Sequence, residues 1–220
     1  MRMFESSGWR LSLSSIQAVH IVLYVRDACQ LTPTGHDVPP PLIGSVENLD
    51  LGFSLVDHTR ASEQWLQWWR RVVHAEGQAQ LDFGQRADLL DAQPRALLTG
   101  RIHGFDPLED FQSLEASPLL RGAALRSWRQ GASWSTTYMS RGVGERTQLA
   151  RSVAESITRE RQVGPERLRA CALILSVTGN WSCLSEPGLL LCSNAKYQDD
   201  AQFALELKEA FESGLNRPLD

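Results

Sequence analysis

The chain has 220 residues, 42% of them hydrophobic and 22% charged, with a formal net charge of −4 and a pI near 5.8. A chain this long buries enough apolar surface to fold without a disulfide or a metal. The acidic balance argues against a nucleic-acid partner, and no run approaches the roughly 18 apolar residues of a membrane span.

Residues 1 to 13 carry little pattern beyond Trp9, Leu11 and Leu13. The apolar stretch Ile16 to Val25 is interrupted by Gln17 and His20, with no basic cluster before it and no small-residue cleavage site after it. It therefore reads as a core element rather than a secretory leader. Between Ser14 and Leu31 a helical stripe (Ala18, Val19, Val22, Val25, Cys29) competes with a strand-like alternation (Val19, Ile21, Leu23, Val25). The length of the run favours the helix. Pro33, Gly35 and Pro39 to Pro41 make the segment from Thr32 to Leu42 an extended connection.

The clearest helix is expected from about Thr59 to Glu76. Ala61, Trp65, Trp68, Trp69 and Val72 share one arc, and Glu63, Gln67 and Arg70 lie opposite. Asp57 or Thr59 supplies the cap and Gly77 the end. Three tryptophans in an uninterrupted apolar stripe read as core rather than as a platform for an aromatic ligand.

Asp106-Pro107 with Glu109, and then Ser117-Pro118, mark two further helix starts; the second helix runs to about Ser140. Gly142-Val143-Gly144 divides the chain into a mainly helical region, 1–141, and an α-β-β-β-α region, 142–220, packed as one globular unit. In the second region a helix is expected from Glu145 to about Gln162. Three strands follow at Leu168 to Val177, Trp181 to Ser185 and Leu189 to Ser193. A last helix buries Phe203, Leu207 and Phe211. The predicted fold is α+β, with a small three-stranded antiparallel sheet between helices.

Chemistry is harder to locate. There is no GxSxG elbow, HExxH helix or Cys-x-x-Cys pair, and the Gly142 to Gly144 run lacks a preceding strand and the third glycine of a nucleotide loop. His58 and His74 stand too far apart on one helix to share an ion. His103 and Asp106 bracket a short loop before a helix, the one place where a histidine and a carboxylate could meet at a helix N-terminus; Asp106 reads first as a cap. Neither Ser135, Thr136 and Thr137 nor Ser182, Cys183 and Ser185 has a histidine partner at definable spacing. No catalytic, cofactor or metal site is assigned.

Cys29, Cys171, Cys183 and Cys192 sit in apolar runs and read as free buried thiols of a reducing cytoplasm. A two-residue Pro187-Gly188 loop would bring Cys183 and Cys192 face to face, whereas a type II turn at Pro-Gly splays a hairpin. The charges from Glu155 to Arg169 read as a solvated face with ion pairs. Twenty arginines against Lys196 and Lys208 alone reflect a GC-rich genome and point to a bacterial source. The expected function is a non-enzymatic, soluble, cytoplasmic interaction protein: an adaptor, assembly component or inhibitor that binds another protein or itself, with no nucleic-acid or membrane partner. The alternative is an enzyme, such as a hydrolase, in which His103 and Asp106 meet residues distant in sequence.

Overall fold

Residues 2–6, 8–82, 111–139 and 146–216 are described by a computed structural model. They form two compact units, one of Ile16–Met139 and one built from both ends of the chain, Met1–Ser15 with Ser140–Asp220. The α+β class holds. The predicted helix start at Asp106-Pro107 and the Gly142 to Gly144 run lie outside the described residues.

In the unit made from the chain ends, strand β1 (Arg2–Ser6) pairs antiparallel with β2 (Trp9–Ser14). Gly8 turns this hairpin at φ +128°, a value that L side chains rarely adopt. Strand β2 then lies parallel to β3 (Arg169–Leu175), and β3 parallel to β5 (Leu189–Ser193). Strand β4 (Ser182–Glu186) pairs antiparallel with β5 at the outer edge. The order is β1-β2-β3-β5-β4, so the sheet is mixed and five-stranded rather than three-stranded and antiparallel. The region before residue 16 is also strand, not helix. The centre of the sheet follows from composition: β3 is apolar from Ala170 to Leu175 and buried throughout those positions, as a strand with parallel neighbours on both sides requires.

The β4–β5 hairpin resolves the cysteine question. Glu186 pairs with Leu189 across Pro187-Gly188, so the loop has two residues. Gly188 takes φ +80°, as the second central position of a type II turn demands. The splay of that turn is absorbed by a bulge at Ser185, after which Leu184 faces Leu190 and Cys183 faces Leu191. A one-residue slip reverses the faces. Cys192 therefore points into the helix-covered core and Cys183 to the other side of the sheet. Under native alkylation half-buried Cys183 is expected to react first, and buried Cys29, Cys171 and Cys192 only after denaturant is added. Mass analysis of the alkylated peptides checks this order, and a Cys183–Cys192 crosslink under mild oxidant would contradict the register.

Two helices cover one face of this sheet. Helix α4 will denote Thr147–Arg161 and α6 Asp200–Gly214, with the short α5 (Asn194–Gln198) between β5 and α6. Ala150, Val153, Ala154 and Ile157 from α4 meet Phe203, Leu207, Ala210 and Phe211 from α6 over Leu11, Leu13, Ala172, Ile174 and Leu190. Asp199 caps α6 by accepting from the N–H groups of Ala201 and Gln202 at 3.1 Å. At its other end Gly214 comes so close to β3 that a Cβ there would lie 2.4 Å from the Arg169 carbonyl oxygen.

The inserted unit contains α1 (Gln17–Ala28), α2 (Leu55–Leu81) and α3 (Pro118–Tyr138). Residues 19–26 of α1 are all buried, which accounts for the double reading of that stretch: a helix apolar on every side carries strand-like alternation too. Helix α2 is longer than its sequence indicated. Its cap is Ser54, whose hydroxyl accepts from the Asp57 N–H at 3.2 Å while Asp57 accepts from the Ser54 N–H at 3.1 Å. Asp57 is thus the return partner of a capping box. Gly77 lies inside the helix and is buried; burial of Leu81 one turn further on offsets the roughly 1 kcal/mol that a mid-helix glycine costs.

Trp65, Trp68 and Trp69 are buried, and Glu63, Gln67 and Arg70 exposed, as the stripe requires. Indole N–H groups then reach carbonyls, Trp65 to Val22 at 2.8 Å and Trp69 to Asp37 at 3.0 Å. The proline-rich connection is held by charge. Buried Arg26 donates to the carbonyls of Pro39 and Pro40, and Asp27 accepts from the Leu42 N–H at 2.7 Å. Asp37 takes two hydrogen bonds from Arg70, at 2.6 and 2.9 Å.

Glu76, 6% exposed, is different. Burial raises its carboxyl above the ordinary range. Raised in the folded state, it favours folding below its unfolded pKa and loses that advantage as pH rises and the buried group ionises. Glu76→Gln is accordingly expected to raise the melting temperature at neutral pH and to leave it unchanged near pH 4, read by thermal denaturation at both values.

Candidate functional site

Helix α4 turns Ala150, Val153, Ala154 and Ile157 inward, which leaves its other positions to the surface. On the side facing α6 its charges are matched one by one. Arg146, just before the helix, pairs with Asp200; Glu160 pairs with Lys208 at 2.5 Å; Arg161 pairs with Glu212 at 2.9 Å. Arg146 also lies over the Tyr197 ring, 4.8 Å from its centroid. Lys208 and Ser156 together hold the Glu160 carboxyl below its ordinary range.

The opposite side of α4 borders an open groove of about 670 Å³, lined by Arg151, Glu155, Thr158 and Arg159 over Trp9, Ala154 and Pro165. Arg151, Glu155 and Arg159 are exposed and follow one another at four-residue intervals, about 6 Å apart along one helix face. None has an ion-pair or hydrogen-bond partner among the described residues. Trp9 is only 4% exposed and meets Phe211 edge-on, 6.3 Å between centroids, so the base of the groove is packed. Ala154 is likewise buried, 1% exposed, so what the groove presents to solvent is chiefly the base–acid–base row.

The sequence grouped these charges as one ion-paired surface. The structure divides them: Glu160 and Arg161 are paired with α6, while Glu155 and Arg159 have no partner among the described residues and are joined by Arg151, which the sequence pattern does not mark. The four-residue spacing was visible, but which side of the helix met α6 was not.

The other candidates are chemically quiet or fall elsewhere. His103 and Asp106 lie outside the described residues. His20 is fully buried; its Nδ1–H donates to the Ile16 carbonyl at 2.8 Å and its ring stacks on Trp134. Burial lowers its pKa to about 4. Burial likewise pushes the Cys29 and Cys192 thiols up to about 12, far from the thiolate a nucleophile needs. Ser135 and Thr136 donate back to the Ala132 carbonyl and Thr137 to that of Ser133. Ser182 accepts from the Lys196 ammonium at 2.8 Å, and Lys196 is ion-paired with Glu206. An ammonium that donates to a hydroxyl does not take that hydroxyl's proton, so this cluster fastens the start of β4 to α5 instead of activating a nucleophile.

Among the described residues no three His, Cys, Asp or Glu side chains converge as metal ligands, and no helix is long and apolar enough to cross a membrane. Comparison with protein-family models, curated proteins and solved structures finds no match for this chain.

Proposed function

We propose that the chain is a non-enzymatic cytoplasmic interaction protein, an adaptor, assembly component or inhibitor whose work is contact with another protein. The observation that carries this reading is the groove along α4, whose wall carries three exposed charges with no partner among the described residues. Glu155 between the two arginines, with the net charge of −4, favours a protein over a nucleic acid, whose phosphates it would repel. Buried thiols with high pKa fit a reducing compartment.

The test is affinity capture of the full chain from its native host, with mass-spectrometric identification and light scattering of the purified protein. One partner recovered in fixed stoichiometry is the expected result. A monomer that recovers nothing and turns over a small-molecule substrate would replace this reading with an enzymatic one.

A further inference from the structure

Helix α4 shows on one side how its charges are meant to be met. There Arg146, Glu160 and Arg161, in the order base–acid–base, face Asp200, Lys208 and Glu212 of α6, in the order acid–base–acid. On the groove side the order base–acid–base recurs as Arg151, Glu155 and Arg159, now at even four-residue spacing and with no helix opposite among the described residues. We infer that the groove receives an amphipathic helix of a partner protein carrying an acid–base–acid run at four-residue spacing, laid beside α4 as α6 is on the other side.

Three features fix the chemistry of that occupant. Helix spacing matches helix spacing: an i, i+4, i+8 row rises about 6 Å per step, and an extended peptide does not meet three such charges in register. Small side chains beside the charged row suit a base already closely packed, with Trp9 and Ala154 buried beneath it. Glu155 at the centre rejects an all-acidic segment and calls for a lysine or arginine at the partner's middle position, so specificity comes from the mismatch as well as from the match. The inference rests on the interaction reading above and narrows it to one surface and one kind of partner.

The probe is a labelled, alanine-rich helical peptide with Glu, Lys and Glu at successive fourth positions, compared with its Lys, Glu, Lys counterpart. Each is titrated against the full chain at low salt by fluorescence anisotropy. The Glu-Lys-Glu peptide is expected to bind about tenfold more tightly, as three partly exposed ion pairs allow. The triple variant Arg151→Glu, Glu155→Lys, Arg159→Glu should reverse that order. All three side chains are exposed, so an unchanged melting temperature will show that the variant is folded. Equal binding of the two peptides, or a preference that the variant leaves intact, overturns the inference. So does a wild-type dimer that the variant dissociates, since the occupant would then be a second copy. A captured host partner that the variant still retains removes this inference alone; a chain that captures nothing and prefers neither peptide removes the broader reading with it.

Discussion

Trp65→Ala is expected to lower the unfolding free energy by about 3–5 kcal/mol, the range for a large aromatic removed from a packed interior. The loss has several sources at one position. Trp65 is fully buried, stacks on Trp69 with centroids 5.7 Å apart and planes within 7°, and lies under the Arg26 guanidinium at 5.5 Å. That guanidinium holds the Pro39 and Pro40 carbonyls, so the vacated space would also loosen the connection between α1 and α2. Urea denaturation of wild type, Trp65→Ala and Trp65→Phe separates the parts. Phenylalanine keeps a ring in the stack and loses the N–H donated to the Val22 carbonyl, and should cost well under half as much. An alanine variant with an unchanged midpoint would mean that the tryptophan stripe is not core.

The second large effect is a dependence on pH centred on His20. Its pKa falls from 6.5 in an unfolded chain to about 4 in the folded one, because burial disfavours the imidazolium. The unfolded chain therefore takes up the proton first, and stability falls as pH drops below 6.5, levelling out below about 4. A difference of this size corresponds to about 3 kcal/mol at its full extent. Asp37, which Arg70 holds below the ordinary carboxylate range, loses its contribution only at lower pH. Glu76 acts in the opposite direction. The measurement is consequently a comparison of denaturation midpoints between pH 7 and pH 4 for wild type and His20→Asn, whose amide can replace the Nδ1–H donor without titrating. The wild type should lose stability more steeply through that range; parallel curves would refute the assignment.

The legibility of this chain in its sequence follows the range of the interactions involved. Helix α2 could be read because its evidence is local: three tryptophans in one arc with charges opposite. Its start was signalled locally by the Ser54-x-x-Asp57 spacing of a capping box; its end was not, since Gly77 as an interior residue depends on Leu81 finding a buried place. Strand β2 had its period-two signal in Trp9, Leu11 and Leu13, but the run is short and its partner strand β3 lies far along the chain, which left it without support. The place of the hairpin is legible but its register is not, because the bulge at Ser185 has no glycine or asparagine to announce it. The groove was legible as spaced charges and not as a site, for pairing depends on where α6 packs.

Because Ile16–Met139 interrupts the unit formed by the chain ends, the order of synthesis matters. Leu11 pairs with Ala170, so β1 and β2 leave the ribosome long before β3 exists, on the order of ten seconds earlier at ordinary elongation rates. During that interval the hairpin has an open edge at β2, and the inserted unit is the first part of the chain able to complete its own interior. Once folded, that unit replaces a long flexible loop with a compact body and reduces the entropy lost when β3 arrives to close the sheet. Slowing translation between residues 83 and 110 would lengthen the exposure of β2 and raise the share of nascent chains lost to aggregation, although the finished protein would be identical.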